Sequence, residues 1–374
     1  MSRLIEVVTW PESRIPLYER QLAADLLLGL LRVSNVELRR KCAEGLARLA
    51  DAPKALLRYL SKDEIQVAGA LLEKGAGFDD SDLIAAVRAG TSAHWQIIAE
   101  RRGLTEAVTD MLIQTADPIV IESVLKNKFS RLSAQGVEFA VGRSRAAAQL
   151  IGPLAQRPEL RPGEGLTMFW WADFNARVQL LRRFAVDRSV LIKELGETFA
   201  LAAKEGWRDP DARKALQVIE RRQRNRNAAQ QNRYGSLEAA IAAAGEQGLD
   251  PNMINEIAYM GGVKPATAAQ IFSDPGGEAI AVFAKSVGLK RAPTLNLWRA
   301  LQRPAGDADH TDNPLGRMMF VFDTLATAKA QTVLRYWNWS FTADAQRIEE
   351  APLELDADAA ISRRNAQLLF RRGG

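Results

Sequence analysis

The sequence predicts an all-α protein whose first half is a row of short helix pairs followed by a smaller C-terminal helical module. Three observations predict it. Apolar residues recur at intervals of three and four from residue 17 to about 160, the period of a helix with one buried face. Turn residues cut these stretches into short pieces. Runs of β-branched residues in strict alternation, the signature of strands, are missing.

The stretch 36–50 shows the period. Leu38, Cys42, Leu46 and Leu49 fall on one stripe, with Arg39, Arg40, Glu44 and Arg48 off it. A helix over 64–74 is then followed by Gly75, Gly77, Asp79 and Asp80 and by a second helix starting near Asp82. The second helices carry matching apolar pairs: Leu57 with Leu60, Ile84 with Val87, Val108 with Met111, and Val137 with Ala140. Their first members are 27, 24 and 29 residues apart. Each pair follows a polar turn and a residue suited to an N-cap. One helix pair cannot bury its apolar face alone, whereas stacked neighbours share a core. The expectation is a HEAT-like α-solenoid of four or five units over 1–160, with a period shorter than standard.

The pattern changes at RPELRPGEGL, a stop rich in proline and glycine, and then at the aromatic cluster Phe169, Trp170, Trp171 and Phe174. Val178, Leu181 and Phe184 resume the helical period, and a long polar helix is predicted over 210–232. Residues 161–232 thus read as connecting helices. Residues 233–303 read as a helical module, with Asp250-Pro251, Lys264-Pro265 and Asp274-Pro275 each placed to start a helix. Residues 304–374 read as an extension, with a polar segment 304–316, a helical stretch 317–350 and a mobile tail.

Composition narrows the function classes. Hydrophobic residues at 47% and charged residues at 25% are the balance of a folded domain. A net charge of +5 is too mild to declare a nucleic-acid binder. One cysteine, Cys42, excludes an internal disulfide and a cysteine-rich metal site, and it lies on a packing stripe. The N-terminus carries no apolar core of a signal peptide, and no uncharged run approaches the length of a membrane span. These readings point to the cytoplasm, without a membrane.

Chemistry is sparse. Only two histidines exist, and acid–base or nucleophilic catalysis usually needs a tuned histidine or cysteine. His310 sits among Asp307, Asp309 and Asp312, with Asp323 further on, a setting that raises its basicity. His94 starts a helix beside Trp95 and reads as a cap or a packing residue. There is no phosphate-loop, nucleophile-elbow or dinucleotide motif. The glycines of GFDDSD and SDPGGE lie beside Asp79, Asp80, Asp82 and Asp274, which repel phosphate and suit helix capping. No catalytic residue, cofactor or metal is expected.

Two basic features and one aromatic feature remain. Arg101 and Arg102 in one repeat and Lys126 and Lys128 in the next fall in turns that adjacent units place on one edge. They form a candidate strip for an acidic protein partner. Arg221, Arg222, Arg224 and Arg226, with Arg233 and Tyr234 beyond, could instead neutralise nucleic-acid phosphates or remain a solvated helix face. Trp170 and Trp171 are candidates either for the seam between the modules or for a partner anchor, and Trp337 and Trp339 raise the same choice.

The runs HWQIIAERRGL (94–104), EAVTDMLIQTAD (106–117), VLKNKFSRLS (124–133) and VKPATAAQIFSDPGGEAIAVFAKSVGL (263–289) resemble an alphaproteobacterial family, domain of unknown function 2336. These are helix-packing patterns covering about residues 20–300. The resemblance implies a helical fold and the bacterial cytosol, and it transfers no activity. The leading expectation is a non-catalytic protein–protein interaction scaffold. The alternative is a nucleic-acid-binding helical-repeat protein using the arginine-rich helix.

Overall fold

The computed structural model describes residues 2–10, 16–186 and 234–350, and all regular structure among them is helical. The chain divides into two compact units, 1–164 and 165–374, a boundary four residues beyond the one expected near 160. The arginine run at 221–226 lies outside the described residues.

The first unit contains α1 (Ser2–Thr9), α2 (Leu17–Leu31), α3 (Val36–Leu46), α4 (Lys54–Leu60), α5 (Ile65–Lys74), α6 (Asp80–Ala89), α7 (Ser92–Ala99), α8 (Glu106–Gln114), α9 (Pro118–Lys126), α10 (Ala134–Ser144) and α11 (Ile151–Gln156). Side chains that cap well start many of them. Asn35 accepts from the Leu38 amide, Asp117 from Ile119 and Ser133 from Gly136, and Asp79 with Asp82 forms a reciprocal capping box on α6. Each even-numbered helix from α2 to α10 packs on the next even one, and the odd ones from α1 to α11 do likewise. Within pairs, α4 meets α5, α6 meets α7, α8 meets α9, and α10 meets α11. The four apolar pairs read from the sequence fall on α4, α6, α8 and α10. Ile84 and Met111 are only half-buried; Leu83 and Leu112 take the core positions beside them.

The second unit opens within α12 (Pro162–Met168) and continues through α13 (Phe174–Phe184), α14 (Leu237–Gln247), α15 (Pro251–Met260), α16 (Pro265–Ser273), α17 (Glu278–Val287), α18 (Arg291–Ala300), α19 (Pro314–Thr324) and α20 (Thr327–Glu350). Its centre is α17, whose residues 278–284 are all buried, the sequence pattern of a helix apolar all round. Helices α16, α18, α19 and α20 pack against it. The boundary expected near residue 303 therefore falls inside this packing, because α19 and α20 complete the core that α17 begins. The polar segment before α19 is tied down: Asn313 caps that helix, and its side-chain amide donates to the carbonyls of Asp307 and His310 at 2.9 Å.

An ion cluster sits inside this unit. The Arg177 guanidinium meets Asp274 at 2.9 Å and Glu278 at 2.6 Å, donates to the Ala172 carbonyl, and lies 4.7 Å over the Phe169 ring. Asp274 also accepts from the amides of Gly277 and Ala279. Gly277 has φ +84°, and an added Cβ would meet the Trp298 ring at 2.3 Å, so the SDPGGE turn needs glycine there. Capping, expected of Asp274, is thus joined to charge pairing.

Candidate partner-binding edge

The basic residues of the first unit lie in turns that close α7 and α9, and these turns are locked to one another. A helix leaves its last four carbonyls without intrahelical partners. Here the turn that closes one odd-numbered helix satisfies part of that need at the end of the odd-numbered helix before it. Arg101, just past α7, donates to the carbonyls of Leu72 and Gly75 at the end of α5. Asn127, just past α9, donates to the carbonyls of Ala99 at 2.8 Å and Arg101 at 2.6 Å. Arg157, just past α11, donates to the carbonyls of Asn127 at 2.9 Å and Ser130 at 2.8 Å. Positions 101, 127 and 157 form one ladder along one edge.

The four strip residues divide accordingly. Arg101 is half-buried, its guanidinium 5.6 Å from the Phe78 ring, and burial holds its pKa below the usual arginine value. It ties the end of α7 to the end of α5. Lys126 is exposed and paired with Glu122 at 2.5 Å, one turn back on α9. Arg102 and Lys128 are exposed. Next to Lys128 in the chain stands a residue the sequence reading passed over: Phe129, 57% exposed, with the Arg102 guanidinium 4.9 Å above its ring. Its backbone amide donates to the Asn127 side chain at 3.0 Å, so the residue that ties the turn to the end of α7 also presents the ring. The signal in the sequence was the exposed aromatic directly after a helix-closing Asn-Lys. What the arrangement offers chemically is an exposed apolar ring capped by the Arg102 cation from the turn after α7, with the exposed Lys128 next to it in the chain, a surface suited to an acidic chain with an apolar side group.

Elsewhere the first unit spends its polar residues on packing. His94 is buried; its Nδ1 accepts from the Thr91 amide at 3.3 Å, which leaves Nε2–H to donate to the Asp63 carbonyl at 2.8 Å. Asp82, fully buried, is opposed by its own desolvation, yet hydrogen bonds from Lys54 (2.5 Å) and Arg58 (2.6 Å) outweigh it and keep its pKa below the carboxylate norm. Hydrogen bonds from Lys54 and Ser81 and from the Asp82 amide hold Asp79 lower still. The other histidine, His310, is exposed in the second unit, with Nδ1 2.9 Å from Asp307.

The aromatic candidates belong to the second unit. Trp337 is fully buried and donates to the Leu166 carbonyl at 3.2 Å; Phe169 packs on it at 4.9 Å and the half-buried Trp170 at 4.5 Å. Trp171 is half-buried in the turn that follows α12. The cluster ties α12 to α20.

The profile of a bacterial family described as an uncharacterised protein conserved in bacteria, DUF2336, matches residues 67–335. The chain belongs to this family. The DUF2336 match starts in α5 and ends in α20, so it takes in the Arg101–Asn127–Arg157 ladder and the Phe129 turn, and leaves α1 to α4 outside. No curated protein and no solved structure matches the chain. Among the described residues no helix is long and apolar enough to cross a membrane.

Proposed function

We propose that the chain is a non-catalytic protein–protein interaction scaffold of the bacterial cytoplasm, its first 160 residues a HEAT-like solenoid that offers one edge to an acidic partner. The observation that carries this reading is the exposed Phe129 ring under Arg102 and beside Lys128, on a turn fixed to the repeat before it. The two rows of like-numbered helices, each packed on its next neighbour, support the solenoid reading. Arg102, Lys128 and Phe129 are the residues of the site; Arg101 and Asn127 position them.

The test is cross-linked affinity purification from the native host, with and without nuclease, of wild type beside R102E/K128E and F129A. A partner that survives nuclease and is lost from both variants supports the reading. Retention of every captured protein by both variants sinks it. The arginine run at 221–226 supports a second reading, nucleic-acid binding, and a variant with Arg221, Arg222, Arg224 and Arg226 changed to Glu belongs in the same experiment. Nucleic acid recovered from wild type and lost from that variant, with binding that falls steeply in salt, would favour it.

A further inference from the structure

Helix α2 is apolar on two opposite faces. One face carries Ala24, Leu27 and Leu31, all fully buried against the rest of the first unit. The other carries Tyr18, Leu22, Leu26 and Leu30, followed by Val33 just past the helix end; Tyr18 is 79% exposed, Leu26 60% and Val33 85%. These five recur at steps of four, four, four and three, so they form one continuous stripe. Single exposed apolar residues are ordinary, whereas a contiguous stripe marks a contact surface.

We infer that this face is where two copies of the chain associate, with their α2 helices antiparallel. Charge selects the occupant and the direction. Asp25 and Arg32 are exposed and seven residues apart, two helical turns, on the same edge of the stripe. When two identical helices pack antiparallel about a two-fold axis, like edges face each other. Asp25 of each copy then meets Arg32 of the other, twice in one contact. A parallel pair puts this edge of each copy on opposite sides of the contact, so Asp25 does not reach Arg32 of the other. The antiparallel register puts the axis beside Gly29, where an added Cβ would find no atom within 4 Å. Two backbones can approach closely there, with Leu26, Leu30 and Val33 of both copies packed around the crossing. Asp25 is held by the Gln21 amide at 3.2 Å, which fixes it at the rim.

The size of the face sets the strength. A 15-residue helix is about 22 Å long, and two of them crossing cover less than the roughly 800 Å² per partner of a standard interface. A contact of that size fits a weak association, dependent on protein concentration.

Sedimentation velocity on the full chain over a concentration series reaching about 100 µM tests this. Wild type is expected to pass from monomer to dimer. L26E should stay monomeric with unchanged helicity, since residue 26 is already exposed. D25R should weaken the dimer about tenfold or more, and the reversed pair D25R/R32D should restore it. A wild type that remains monomeric throughout overturns the proposal, including one that instead pellets with phosphatidylethanolamine/phosphatidylglycerol vesicles. A double reversal that dimerises no better than D25R alone overturns it as well.

Discussion

The two units bury their polar groups at different ranges along the chain. In the first, the side chains that join neighbouring helix pairs reach 22 to 31 residues: Thr109 to the Arg131 carbonyl, Arg157 to that of Asn127, His94 to that of Asp63. In the second they reach 97 and 101 residues from Arg177 to Asp274 and Glu278, and 171 from Trp337 to Leu166. A ladder of local ties makes each helix pair depend on its neighbours. A central helix enclosed by distant elements makes its surroundings depend on all of them. The difference teaches where damage should stay local and where it should spread.

The largest effect is expected at Arg177. Its removal leaves Asp274 and Glu278, both buried, without their cation. Breaking such a buried pair costs about 3–5 kcal/mol, and R177A should unfold the second unit early in a denaturant series. Trp170, Trp171, Trp298 and Trp337 report on that unit by fluorescence. A loss below about 1 kcal/mol would mean that the cluster is not its keystone.

The counterpart in the first unit is Arg157. R157A leaves the carbonyls of Asn127 and Ser130 short of a donor, at a cost of about 1–3 kcal/mol. The damage should remain local. Amide exchange is expected to quicken over 118–160 and to stay unchanged over 36–46. Equal acceleration along the unit would contradict the neighbour-only coupling that sets it apart from the second.

This contrast also explains what was legible in the sequence. The period of apolar residues, the N-cap at Asp79 and the all-helical class could be read because each is decided within a few turns of chain. The candidate edge was half legible. Its cations could be placed in turns that close helices, but nothing local to Arg101 says that its guanidinium closes the end of α5, and nothing in the sequence marks Phe129 as exposed. In the second unit, Arg177 with Glu278 was invisible, because the partners lie 101 residues apart and each alone resembles a solvated charge. The same distance effect hid how α19 and α20 complete the core around α17.

A pH experiment sharpens the comparison at the next level. Asp79 and Asp82 titrate below the ordinary carboxylate range in the folded chain, held there by Lys54 and, at Asp82, by Arg58. A carboxyl whose folded pKa is depressed contributes stability that is complete above its unfolded pKa, near 4, and is lost as pH falls through the folded value. The first unit should therefore weaken in acid below about pH 4. D82N should cost about 2 kcal/mol at neutral pH, less than a fully buried pair because Lys54 and Arg58 are half exposed. It should also flatten the acid limb of the stability curve. An acid limb as steep in D82N as in wild type would remove these residues from the account.

The smallest effect gives the closest look at coupling inside the first unit. Burial pushes the Cys42 thiol up to about 12, so at pH 8 the native protein holds almost no thiolate there. Thiolate is the species that reacts with disulfide reagents. Labelling must then wait for local opening around α3, and its rate reports that opening free energy. Asn35 caps α3, and N35A should cost about 1 kcal/mol, which speeds labelling roughly fivefold. R157A, at the far end of the same unit, should leave the rate where it was if each helix pair answers only to its neighbours. If R157A speeds Cys42 labelling as much as N35A does, opening at one end travels the length of the unit, and the ladder behaves as the single cooperative block expected of the second unit.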